Sequence, residues 1–187
     1  MRLYAAIVPP EAARAELADL VRSVGPASPE LEPVAVADMR IPVTSFGNVT
    51  LSDSSVLLST LRDVARGWTR PELRFRGHAA LEWEGDKNVW AKIDGDVESL
   101  NTVGRGVPVV VQPLGFLVDR RKFRPWLPVG TITDATTLPY LERLTAALDD
   151  FDGKTWTVDS LTIFRKVPVD DKGVDEVVLE EIPLRND

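Results

Sequence analysis

The sequence predicts an α+β protein made of two pseudo-twofold-related lobes of antiparallel sheet with outer helices. Two observations carry this. Runs with strand period alternate with runs with helix period along the whole chain, the pattern of mixed sheets and helices. A short motif also recurs: Arg40-Ile41-Pro42-Val43-Thr44 and Trp126-Leu127-Pro128-Val129-Gly130 share a hydrophobic-Pro-Val core, lie about half the chain apart, and are each followed by a loop and a helix. At 187 residues and 44% hydrophobic content, the chain is long enough for both lobes to share one core, so residues 1–187 read as a single two-lobed domain.

The elements follow in order. Arg2 to Val8 is a short apolar strand, and Pro10 then stands where the first turn of a helix tolerates proline. Ala13, Leu17, Leu20, Val21 and Val24 continue that helix at helical spacing. Pro26, Pro29 and Pro33 predict a loop over 25–33, and Val34 to Val49 a second strand region interrupted by Pro42. Ser52 or Asp53 is placed to cap the next helix, which runs to about Trp68 along Leu57, Leu61, Val64 and Ala65. Leu73 to Glu84 and Val89 to Ile93 flank the turn Gly85-Asp86-Lys87-Asn88, a hairpin. From 96 to 116 the reading stays mixed, because helix spacing at Val97, Leu100 and Val103 gives way to Val107-Pro108-Val109-Val110-Val111. Phe123 to Thr133 is a strand, and Thr137 with Pro139 opens a helix whose buried side is Leu141, Leu144, Thr145, Leu148 and Phe151. Trp156 to Arg165 and Val174 to Leu184 are closing strands around a charged loop at Asp170-Asp171-Lys172-Gly173.

Composition removes whole classes of chemistry. With no cysteine, there is no disulfide framework, thiolate metal site or cysteine nucleophile. A single histidine, His78, has no second histidine or cysteine to build a metal site or a familiar triad, so its expected role is structural or at the surface. No metal or cofactor is expected. The apolar start from Leu3 to Val8 ends at Pro9-Pro10, too short for a signal-peptide core or a membrane span, which predicts a cytoplasmic protein without membrane attachment. A net charge of −7 repels polyanions overall, so any nucleic-acid contact must use a local basic patch. No GxxxxGK[ST] loop, GxSxG elbow or HExxH helix is present, and Gly104-Arg105-Gly106 lacks the third glycine of a dinucleotide fingerprint.

At the two repeated segments the sequence resembles the 2H phosphoesterase superfamily, in its 2′–5′ RNA ligase-like branch that includes RNA 2′,3′-cyclic phosphodiesterases. Met1 to Ile7 is similar to the family's opening strand. Asp38 to Val49 resembles its first motif strand, and Phe123 to Val129 its second. Trp156 to Ile163, with Val178 to Leu184, resembles the last two strands. The family carries a His-x-Thr motif on each motif strand. Here Arg40 and Pro42 stand in the first, Trp126 and Pro128 in the second, so all four functional side chains differ.

What the resemblance implies is therefore a fold without the family's acid and base. Arginine does not exchange a proton near neutral pH, and tryptophan and proline carry no ionisable side chain. Arg40 is still a candidate phosphate ligand, because guanidinium pairs bidentately with phosphate; pairing with a carboxylate or stacking on an aromatic ring is the alternative. Arg120-Arg121-Lys122 and Arg124, beside Phe116, Phe123 and Trp126, form one local basic cluster. It reads either as a holder of RNA ends by phosphate pairing and stacking or as a solvated loop. Strand alternation points Arg40 and Pro42, and Trp126 and Pro128, into the cleft between the lobes. There Arg40 is expected to pack on or near Trp126 and plug it, leaving Arg120, Arg121 and Arg124 peripheral. The sequence reads as a catalytically degenerate phosphoesterase-like protein that binds nucleotides or RNA ends, or serves as a protein-interaction module. The alternative is a hydrolase using the same cleft with non-histidine residues.

Overall fold

The computed structural model describes residues 1–25, 29–119, 121–169 and 173–185. Its strands form two antiparallel sheets. In the first, β1 (Arg2–Ile7) lies between β3 (Ile41–Asn48) and β8 (Ser160–Val169), and β9 (Gly173–Pro183) follows on the far side of β8. In the second, β5 (Asn88–Gly95) lies between β6 (Trp126–Ile132) and β4 (Glu72–Ala80), with β2 (Leu31–Pro33) beyond β6 and β7 (Trp156–Thr157) beyond β4. Apart from β2, which has no counterpart in the first sheet, the lobes thus have matching strand order, and they match in detail at the repeated motif. Ala5 pairs with Thr44 and Ala6 with Pro42, leaving Val43 as the extra residue of a bulge. Val89 pairs with Gly130 and Trp90 with Pro128, leaving Val129 in the same position. Each proline, lacking the N–H a regular ladder uses, sits beside a bulge.

Four helices clothe the sheets with the same symmetry. α1 (Glu11–Ser23) follows β1 but packs on β6 of the other sheet, and α3 (Val97–Val111) follows β5 but packs on β3. α2 (Leu51–Ala65) and α4 (Leu138–Asp150) stay with their own sheets, against β9 and β4. One hydrophobic cluster, including Ile7, Ile41, Phe46, Val107, Leu127 and Leu144, joins the two lobes. None of these helices is long and apolar enough to cross a membrane.

Several boundaries differ from those read in the sequence. The 25–33 loop contains β2, because Leu31 buries its side chain beside Ile132. The strand region from Val34 starts only at Ile41, after a 3-10 turn at Val36–Asp38, and Pro42 lies inside β3 rather than interrupting it. Thr50, not Ser52 or Asp53, caps α2: its Oγ1 accepts from the Asp53 amide at 3.1 Å. β4 stops at Ala80, because Leu81 adopts a φ of +52° that a strand does not contain. β6 starts only at Trp126: residues 122–125 belong to no strand, and the Trp126 amide donates to the nearby Arg124 carbonyl at 2.8 Å. The charged loop at 170–172 lies outside the described residues.

The mixed stretch from 96 resolves into α3 and a 3-10 turn at Gln112–Leu114. The Asp96 carboxylate caps the helix by accepting from the Ser99 amide at 3.1 Å. Its valines and Pro108 have poor helix propensity, yet Leu100, Val103, Val107 and Val111 bury one continuous stripe, and packing overrides propensity. The glycines of Gly104-Arg105-Gly106 serve packing too. A Cβ on Gly104 would lie 2.4 Å from the Phe123 ring, and one on Gly106 would lie 2.7 Å from the Trp68 indole.

Gly104→Ala sets a gain of about 1 kcal/mol in helix propensity against an overpacking cost of about 1–3 kcal/mol. Phe123 is buried and cannot swing into solvent cheaply, so net destabilisation is expected, read as a lower urea midpoint. Adding Phe123→Leu should restore part of the loss, and failure to do so would show that the contact is not the cause.

Candidate active site and its aromatic cavity

β3 and β6 face one another across the join between the lobes. On β3, Ile41 and Val43 turn into the core, so Arg40 and Pro42 share the opposite face; on β6, Leu127 and Val129 are buried and Trp126 and Pro128 share the other face. The alternation expected from the sequence therefore holds. The contact expected between its two large side chains does not form.

Arg40 is held inside the first lobe. Its guanidinium lies 4.2 Å from the centroid of the Phe164 ring, on β8. Nη1 donates to the Tyr4 hydroxyl at 2.7 Å and pairs with Glu176 Oε2 at 3.3 Å, while Nη2 reaches Asp38 Oδ1 at 3.4 Å. Tyr4 in turn donates to Glu176 Oε2 at 2.6 Å and stacks on Phe164 at 5.1 Å. Burial, followed by the bond to Glu176, raises the Tyr4 hydroxyl above its ordinary value, so it stays protonated. Two carboxylates and an aromatic ring within its own lobe outcompete an indole across the cleft, and the guanidinium has no face left for a phosphate. This corrects the expectation that Arg40 packs on Trp126.

On the second lobe the cleft opens into a cavity of about 600 Å³. Trp83, Trp90 and Trp126 line it, with Pro42 and Val43 of β3 at its edge and Arg121, Lys122 and Arg124 on the loop that leads into β6. The indoles form a tilted row, 5.8 Å from Trp83 to Trp90 and 6.2 Å from Trp90 to Trp126. The Arg124 guanidinium lies 4.9 Å from the Trp83 ring and 4.8 Å from the Trp126 ring. Among the described residues it has no carboxylate partner. Arg121, Lys122 and Arg124 are thus wall residues of the cavity rather than peripheral; Arg120 lies outside the described residues. Pro128 pairs with Trp90 across the sheet and is not part of the wall. Of the aromatics read with this cluster, Phe123 is buried against α3, and Phe116 packs on the core.

The hairpin loop that presents Trp83 is tied down by one carboxylate. Asp86 is 7% exposed, and its two oxygens accept from the Glu82 amide (3.0 Å), the Asn88 amide and Nδ2 (both 3.0 Å) and Trp90 Nε1 (3.1 Å). Burial pushes this carboxyl up, but those four donors together outweigh it and hold it below the ordinary carboxylate value. His78 is elsewhere, on β4, where Nδ1 lies 2.7 Å from Asp149 Oδ1 on α4. It clips helix to strand. Trp83, Trp90, Asp86, Tyr4 and Glu176 were not singled out in the sequence. The available signal was two tryptophans flanking a predicted hairpin turn.

No family model and no curated protein matches the sequence. Solved structures do match. Over 99% of this chain and 98% of the other, it superposes on TT0787 of Thermus thermophilus with a TM-score of 0.71 at 20% identity. Over the same shares, E. coli LigT complexed with 3′-AMP gives a TM-score of 0.74 at 16% identity, and the same protein complexed with ATP gives 0.73 at 17%. The fold is that of the LigT-like 2H phosphoesterases. In this LigT-like fold the sequence motifs of the resemblance fall on β3 and β6, the two strands with matching bulges.

Asp86→Ala should cost about 1–3 kcal/mol by leaving buried donors unpaired. Because the folded carboxyl is held below its unfolded value, its contribution is complete at neutral pH and is lost as pH falls through the folded value. The gap between wild type and variant in urea midpoint should accordingly shrink between pH 7 and about pH 3. A gap independent of pH would show that the charged form is not what holds the loop.

Proposed function

We propose that this protein binds a phosphorylated aromatic ligand, a nucleotide or an RNA end, in the Trp83–Trp90–Trp126 cavity and does not hydrolyse it. The observation that carries the reading is Arg124. Two indoles hold its guanidinium against the cavity, and no carboxylate among the described residues takes up its N–H groups. Such a group is a ready partner for phosphate oxygens, and the adjacent indoles offer π-faces to a base. The hydrogen bonds of the wall support this: Asp86 accepts from the hairpin and Asp119 from the Arg121 amide, so neither carboxylate takes up the Arg124 guanidinium. That E. coli LigT has been crystallised with 3′-AMP and with ATP fits a cavity of this type.

The absence of hydrolysis in this reading rests on the motif positions. Each positioned acid or base contributes about 10²- to 10⁴-fold in rate. At the four motif positions stand a guanidinium engaged by carboxylates, an indole and two prolines, none able to move a proton.

Titration of tryptophan fluorescence with 3′-AMP, 2′,3′-cyclic AMP and short RNAs with and without a terminal phosphate tests the reading. Saturable binding that needs the phosphate is expected. Arg124→Ala should weaken it by about 10- to 100-fold, the worth of hydrogen bonds to a charged group. Trp83→Ala should weaken it by a similar factor through lost stacking, about 1–3 kcal/mol per base. Binding that ignores Arg124 would remove the site. Turnover of the cyclic nucleotide that follows the purified protein and dies with cleft substitutions would make it an enzyme instead.

A further inference from the structure

We propose that Asp86 is a positioning residue of the cavity: its carboxylate sets the indole row and, through it, the guanidinium of Arg124. The proposal rests on the reading of this cavity as a site for a nucleotide or an RNA end. Asp86 lines the cavity, yet it is buried, and both of its oxygens are engaged by the protein. Oδ2 accepts from the Glu82 amide, next to Trp83, and from Trp90 Nε1. One oxygen thus ties the loop that carries the first indole to the ring of the second. Oδ1 accepts from the Asn88 amide and Nδ2, which anchors the carboxylate at the start of β5. The Asp86 amide completes the loop by donating to the Trp83 carbonyl at 3.0 Å, across a turn in which Gly85 takes a φ of +82°. Trp83 and Trp90 are held 5.8 Å apart as a result.

The effect reaches the ligand through Arg124. Its guanidinium lies 4.9 Å from Trp83 and 4.8 Å from Trp126, so Asp86 fixes one of the two rings that hold it. A group held in place before binding loses less rotamer freedom when the ligand arrives, which is how a residue that does not grip the ligand raises affinity. The sign of the effect separates this role from one of charge. Despite its burial, four donors keep Asp86 ionised at neutral pH, and a negative charge in the wall repels a phosphate. By charge alone, neutralising Asp86 strengthens binding; by positioning, it weakens binding. Asn is the neutral variant of nearly the same shape. Whichever way its amide turns, the NH2 faces two N–H donors, either those of Glu82 and Trp90 or the pair from Asn88.

Calorimetric titration with 3′-AMP at neutral pH, each variant checked as folded by a urea melt, tests this. Asp86→Asn should weaken binding by about tenfold and reduce the exciton signal of the paired indoles in circular dichroism. Asp86→Ser, a second neutral variant without the NH2, carries the same expectation. Glu84→Gln removes a charge from the same wall and should not weaken binding. In a Trp90→Phe background, whose ring has no N–H to orient, Asp86→Asn should cost about threefold less than in the wild type. Binding by Asp86→Asn as tight as the wild type or tighter, equal loss from Glu84→Gln, an unchanged exciton signal, or equal cost in both backgrounds overturns the proposal. Wild-type protein that binds neither 3′-AMP nor short RNA with a terminal phosphate removes the nucleotide reading instead. The exciton signal of Asp86→Asn then still decides whether Asp86 sets the indoles.

Discussion

The reciprocal crossing of α1 and α3 is the constraint on which the rest of the molecule depends. Each helix is tied covalently to one sheet and buried on the other, α1 through Leu17, Ala18 and Val21 and α3 through Val103, Gly104, Val107 and Val111. A buried leucine or valine is worth about 1.5–3 kcal/mol, so parting the lobes would expose both stripes at once, at a cost comparable to the stability of an ordinary domain. β3 and β6 are consequently held face to face, and the cleft between them inherits that rigidity. The loop bearing Arg124 is anchored by the same helix, because Phe123 fills the space that Gly104 leaves open.

Two arginines at this cleft show how surroundings decide what a side chain can do. Arg40 and Arg124 both lie on aromatic rings, at 4.2 Å from Phe164 and at 4.8 Å from Trp126. Arg40 also meets Asp38, Glu176 and Tyr4, which consume its hydrogen-bonding capacity and neutralise its charge. Among the described residues, the Arg124 guanidinium meets the Trp83 and Trp126 indoles and no carboxylate, and indoles orient a guanidinium without satisfying its donors. Arg40 is in this way paired within its own lobe, while Arg124 stands in the cavity wall with no carboxylate partner among the described residues. A net charge of −7 over the chain says little about a wall that sets Arg121, Lys122 and Arg124 beside Glu84, Asp86 and Asp119.

The parts of the fold legible in the sequence were those written in local periodicity. α1, α2, α4, the β4–β5 hairpin and the last strand all have clear apolar spacing, and the repeated Pro-Val motif pointed to the two lobes. The single closing strand read from Trp156 to Arg165 is in fact two, β7 on the second sheet and β8 on the first, because the chain crosses between sheets at Val158-Asp159. α3 was obscured because valine and proline disfavour helix, and only its long-range contact with β3 and Phe123 makes it one. β2 was missed because a three-residue edge strand gains its identity from β6, not from its own residues. At the site, Pro42 and Trp126 were found through the motif, and the basic run 121–124 through composition. The fate of Arg40 was not legible: Phe164 and Glu176 come from β8 and β9, far along the chain, and nothing in the spacing says that they end beside it. Asp86 likewise reads as an ordinary turn residue until the Trp90 indole is seen donating to it.

The order of strands also sets an order of events during synthesis. β4, β5 and β6, the heart of the second sheet, all lie within residues 72–132 and pair as neighbours in sequence. β1 is different, for it precedes the other strands along the chain and yet forms the middle of its sheet, with Arg2 paired to Lys166. Until β8 leaves the ribosome, one side of β1 has no partner, and Leu3, Ala5 and Ile7 lack part of the core that later covers them. The nascent chain therefore carries an open apolar strand for most of its translation, a stage at which molecular chaperones have something to hold.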